Sequence, residues 1–97
     1  MITPWLVRLE VARDDDGSLS DEQMSELSDV LAASQMHPLL SRGESGTVRV
    51  QVTVQATNDQ AARSAAERML SARAYEVWAT HGLPPFTITF IEAKPEG

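Results

Sequence analysis

Three stretches of the chain alternate apolar and polar residues with a period of two, and two others repeat at helical spacing. From Ile2 to Ala12, Trp5, Val7, Leu9 and Val11 fall on one side and Leu6, Arg8, Glu10 and Ala12 on the other, the pattern of a half-buried strand. The clearest alternation runs from Thr47 to Ala56, where Val48, Val50, Val52 and Val54 interleave with Arg49, Gln51, Thr53 and Gln55. The last places Phe86, Ile88 and Phe90 against Thr87, Thr89 and Ile91, and Glu92 to Gly97 reads as a loose C-terminal tail.

Between these strands lie two amphipathic helices. Ser20 and Gln23 have the spacing of a capping box, Leu19 and Met24 that of a hydrophobic staple, and Met24, Leu27, Val30, Leu31 and Ser34 share one face. A helix over Asp21 to Met36 is predicted, stopped by Pro38. A second capping box, Thr57 to Gln60, opens a helix whose inner side carries Ala62, Ala66, Met69, Leu70, Ala74 and Val77 and which runs to about Thr80. Gly82 suits a left-handed C-cap, with Pro84 and Pro85 beyond it. A structureless stretch from His37 to Thr47 would be unusually long for a compact domain. Leu39 and Leu40 are therefore read as a short edge strand, which tolerates Pro38 at its start, and Ser41 to Gly46 as the turn that follows.

The resulting order is β-α-β-β-α-β in a single α+β domain spanning residues 1–97. A parallel sheet covered on both faces would need strands apolar on both sides, whereas these are polar at every second position. The expectation is an antiparallel four-stranded sheet with both helices on one face. This layout resembles the ferredoxin-like fold over nearly the whole chain. The likeness implies a fold and no function, because that architecture hosts enzymes, nucleic-acid binders, regulatory domains and oligomerisation modules alike.

Composition narrows the classes. An apolar fraction of 42% with 23% charged residues belongs to a folded domain. With no cysteine, disulfides, thiolate metal sites and a thiol nucleophile are excluded. Met1 to Arg8 lacks the basic start and apolar run of a signal peptide, and no apolar stretch has membrane-spanning length, so a cytoplasmic location is expected. A net charge of −6 disfavours binding to a nucleic-acid backbone.

Candidate chemistry is sparse. Asp14 to Glu22 resembles the middle of an EF-hand calcium loop, with Gly17 at the glycine place and Asp14, Asp16 and Ser20 at ligand positions. Ala12 and Gln23 then stand where the first ligand and the closing bidentate carboxylate belong, and a strand precedes the loop instead of a helix. An acidic turn leading into a helix N-terminus is the better reading. His37 and His81 each sit at a helix end and suit capping; no spacing brings them together as metal ligands. No Gly-x-Ser-x-Gly elbow surrounds any serine, and Arg42 to Gly46 has the glycines of a hairpin turn without a Walker lysine. No cofactor or metal is expected.

What remains is surface. The uncovered face of the sheet should show Arg8, Glu10, Arg49, Gln51, Thr53, Gln55, Thr87 and Thr89, with none of the stacking aromatics of an RNA-binding sheet. The covered face should carry the valines, Phe86 and Phe90, with no inward polar group for an enclosed active site. Tyr75 and Trp78 lie at the margin of the second helix's apolar stripe, suited either to a partner or to packing on Leu83 to Pro85. Arg73, on the apolar side, is expected to snorkel over the sheet edge. By elimination the chain reads as a small acidic, non-enzymatic interaction or oligomerisation module. Its candidate contact residues are Arg8, Arg49, Gln51, Leu39, Leu40, Tyr75 and Trp78, and its partner a second copy or another protein, not nucleic acid or membrane. Two alternatives stand beside it: a dimeric small-molecule binder or cofactor-free enzyme of the α+β-barrel kind, and an inhibitor docking on a basic site of a protein. Because the acidic loop lacks its first and last ligands, millimolar calcium is expected to leave the melting temperature unchanged; a clear upward shift in a thermal melt would restore the calcium reading.

Overall fold

The computed structural model describes residues 2–13, 17, 19–43, 46–82 and 86–96. Its elements are β1 (Thr3–Arg13), α1 (Asp21–Ala33), β2 (Leu39–Arg42), β3 (Val48–Ala56), α2 (Asp59–His81) and β4 (Phe86–Pro95). They form an α+β domain whose four strands are ordered β2-β3-β1-β4, every neighbouring pair antiparallel. The acidic turn at 14–16, Ser18, the hairpin positions 44 and 45 and the turn 83–85 lie outside the described residues.

One core holds the layers together. Val7, Leu9 and Val11 of β1 and Val48, Val50, Val52 and Val54 of β3 are buried with Leu27 and Leu31 of α1 and with Ala62, Ala66, Leu70, Ala74 and Val77 of α2. The alternation of the strands therefore has one dry face, which both helices cover. The alanines matter for distance: small side chains along α2 let its backbone approach the valine face closely. No polar or charged residue is buried among the described residues.

Caps set the helix ends. Ser20 accepts from the Gln23 amide at 3.1 Å while the Gln23 side chain accepts from the Ser20 amide at 3.0 Å, closing the expected capping box. In α2 the N-cap is Asn58, one residue beyond Thr57, and its side chain accepts from the Ala61 amide at 2.8 Å. Gly82 closes α2 at φ 63°. The first helix stops at Ala33, short of Met36, through a Schellman motif: the Met36 amide donates to the Leu31 carbonyl and the Gln35 amide to the Ala32 carbonyl. Gln35 occupies the left-handed position usually given to glycine, at φ 59°, and buried Met36 and Leu31 supply the motif's hydrophobic pair. The Met36 carbonyl then accepts from the Thr53 amide at 2.8 Å, so the chain leaves the helix already docked on β3. At the β2–β3 turn, a Cβ on Gly43 would meet the Thr47 hydroxyl, which would have to rotate away.

The last strand departs from its expected phase. Glu10 pairs with Phe90 and Val11 with Ile88, leaving Thr89 as the extra residue of a β-bulge. A bulge inverts the alternation beyond it. Phe86 and Ile88 face the core before it, Ile91 and Ala93 after it, and Phe90 turns to the opposite side with 43% of its surface exposed. Glu92 onward is likewise strand instead of tail: β4 runs to Pro95, and the Glu96 amide still donates to the Pro4 carbonyl at 3.1 Å.

Of three side chains singled out in the sequence, Trp78 takes the packing role, Arg73 departs from expectation and His81 stands at a helix end as expected. Trp78 is 3% exposed and packs on Phe86, ring centroids 4.9 Å apart, so it belongs to the core and not to a contact surface. Its indole N–H has no hydrogen-bond partner among the described residues. Arg73 does not reach over the sheet edge; its Nε donates to Ser34 Oγ at 3.0 Å and its guanidinium pairs with Glu76, tying α2 to the end of α1. His81 is the last residue of α2, and its Nε2 lies 2.6 Å from Glu26 Oε2, a second link between the helices.

The strand phase is tested by Val50→Asp and Val52→Ser against Gln51→Asp. Either valine change buries an unpaired polar group and is expected to cost about 2–5 kcal/mol in denaturant unfolding, while Gln51→Asp costs far less. Gln35→Gly is expected to stabilise by about 1 kcal/mol, because it removes the left-handed penalty at the Schellman position; an unchanged or lower denaturation midpoint contradicts the account of how α1 ends.

Candidate functional site: the open face of the sheet

The face of the sheet away from the helices is built in rows, because antiparallel register sets residues of all four strands side by side. Leu39, Gln51, Arg8 and Glu92 form one row, and Ser41, Arg49, Glu10 and Phe90 the next. Leu6 and Lys94 are paired beyond the first row. Alternation puts these residues on one side wherever the valines occupy the other, and the Thr89 bulge brings Phe90, Glu92 and Lys94 of β4 into phase with them.

Charges alternate across the strands. Arg49 Nε lies 3.2 Å from Glu10 Oε1, and Arg8 reaches Glu92 at 3.5 Å. The arginines are more than half exposed, so each pair contributes at most about 1 kcal/mol to stability; the consequence is that the guanidinium groups lie over the sheet, held by carboxylates on the neighbouring strand. At opposite margins stand two apolar side chains, Leu39, 65% exposed, and Phe90. Between them runs a groove of about 440 Å³ lined by Arg8, Glu10, Leu39, Ser41, Arg49, Gln51 and Phe90.

A larger depression of about 870 Å³ lies by the end of α1, lined by Gln35, His37, Gln55, Met69 and Glu96. Its His37 and Glu96 are exposed, so solvent reaches both and the site offers no desolvated acid or base. Among the described residues no three His, Asp or Glu side chains gather as a metal site would require, and no helix is long and apolar enough to cross a membrane.

Of the seven residues singled out in the sequence, the fold brings together four: Arg8, Arg49, Gln51 and Leu39. Leu40 points the other way and packs partly buried against the core. Tyr75 is 68% exposed on α2, on a separate surface, and Trp78 is interior. Phe90 and Glu92 were not anticipated here. Phe90 also corrects the expectation of a face without aromatics. The signal that could have found it is the doublet Phe90-Ile91, two large apolar neighbours that cannot both face the core of a regular strand.

No protein-family model, curated protein or solved structure matches the chain.

Leu39→Asp with Phe90→Asp is expected to cost no more than about 2 kcal/mol, part of it from Asp at position 90 standing opposite Glu10, and to leave the domain folded. A loss of several kcal/mol in chemical denaturation would show that these side chains are part of the core.

Proposed function

We propose that this chain is a ferredoxin-like domain working by association, an acidic protein-interaction or oligomerisation module whose contact surface is the open face of its sheet. The element order β-α-β-β-α-β and the sheet order, read from the other edge as β4-β1-β3-β2, support the ferredoxin-like assignment. The observation that carries the functional reading is the placement of Leu39 and Phe90, exposed at the two margins of a groove that crosses all four strands. Covering this groove would remove the exposed apolar surface of both side chains from water. Alternating charge between them supplies orientation, which is how charged groups serve an interface best.

Nucleic acid is a poorer fit. Both arginines of the groove are engaged by carboxylates, and one ring does not make a stacking platform. A second reading, the dimeric small-molecule binder, draws on the volume of the groove, which falls in the range of ligand pockets once a lid covers it. Recovery from the native host separates the two. The wild type is expected to come out with a protein at fixed stoichiometry, or as an oligomer, and the Leu39→Asp, Phe90→Asp variant as a monomer without it, still folded. Association unchanged in the variant, or a monomeric wild type carrying only a small molecule, would overturn the reading.

A further inference from the structure

The cross-strand pairing of Glu10 with Arg49 makes the centre of the open face charge-complementary to a copy of itself. On β1 and β3, Glu10 stands directly opposite Arg49 and Arg8 directly opposite Gln51. A two-fold axis lying between two stacked sheets and running along these strands sets β1 of each copy over β3 of the other. Glu10 then lies over Arg49 of the second copy, and the same contact recurs by symmetry. Four charges meet at the centre, each between two of opposite sign. Arg8 lies over Gln51 of the second copy, an acceptor for its guanidinium, and the same axis sets β2 over β4, with Leu39 over Glu92 and Phe90 over Ser41 of the second copy.

Resting on the interaction reading above, we propose that the open face docks a second copy of this chain, sheet against sheet, through a central Glu10–Arg49 charge quartet. Charge permits self-association through this face, since the acidic excess of the chain lies elsewhere, much of it in Asp14 to Asp16 and the first helix. The chain carries 14 acidic residues against 8 basic ones, so two copies repel at long range. Across the open face of the strands the balance differs, with Arg8, Arg49 and Lys94 set against Glu10 and Glu92. Aligned packing of twisted sheets within about 30° is the ordinary geometry for such a contact.

The area is sufficient and small. Four strands about 4.8 Å apart, of 11, 4, 9 and 10 residues in chain order, present roughly 500 Å² a side, which puts the pair near the floor of about 1,000 Å² for a specific interface. A dimer with a dissociation constant on the order of micromolar is the expected result.

Sedimentation equilibrium of the whole chain tests this with charge reversals. Glu10→Arg alone and Arg49→Glu alone each bring four like charges to the centre and are expected to weaken self-association by about tenfold or more. Mixed in equal amounts, one copy presents two cations and the other two anions, and the dimer returns at or above wild-type affinity. Gln51→Glu, placed over Arg8 of the second copy, should tighten the dimer, a gain that misfolding would not produce. Self-association unaffected by the single reversals, an equimolar mixture that stays monomeric, or a Gln51→Glu variant no tighter than the wild type would overturn the quartet. A wild type monomeric at concentrations on the order of 1 mM would overturn the second copy as occupant. If that monomer still captured a different protein through Leu39 and Phe90, the interaction reading would stand without it.

Discussion

Burial of the valine face of β1 and β3 beneath both helices is the contact on which the rest of this molecule depends. Val7, Leu9, Val50 and Val52 are almost wholly removed from water, and each such side chain contributes roughly 1.5–3 kcal/mol. Because side chains of a strand alternate, committing these residues to the helices commits their neighbours to the other side. Two helices cover one face and leave none for the second. The open face is thus a by-product of how the core is made, and its residues are free to be chosen for something other than folding.

The irregular features serve that division. Thr89 enters β4 as an extra residue, and the inversion it causes moves Phe90 out of the core and Ile91 in. Without the bulge, Glu92 would point at the valines and Ile91 at solvent. Gln35 accepts a left-handed backbone so that Met36 can be buried against Leu31 while its carbonyl joins the edge of β3. In both places a local cost is offset by keeping the alternation of the sheet intact on each side of it. The links between the helices, His81 with Glu26 and Arg73 with Ser34, lie away from the open face and hold the cover in place.

On the open face, the pairing of Glu10 with Arg49 has two consequences. Within one copy it lays a guanidinium along the sheet. Between copies, the same cross-strand register makes the pattern self-complementary, since a residue and its neighbour exchange places under a two-fold axis between their strands. A surface of this kind separates the acidity of the whole chain from the chemistry of one face, so the net charge of −6 is a poor guide to what the face accepts.

Much of the fold was legible in the chain because the relevant signals are local. Period-two alternation in β1 and β3, the Ser20–Gln23 box and the glycine at 82 each depend on residues within a few positions of one another, and the structure places them as the spacing predicts. The short β2 was legible by the length of loop it removes. Other features belong to tertiary structure alone. Trp78 is at the margin of its helical stripe by angle, yet buried, because Phe86 at the start of the following strand folds back to cover it. The doublet Phe90-Ile91 shows within β4 that one of the two must leave the core, but pairing with β1 decides that it is Phe90. The charge rows exist only once four strands lie side by side. Alternation along one strand determined which residues could share a face; pairing between strands decided which of them stand together.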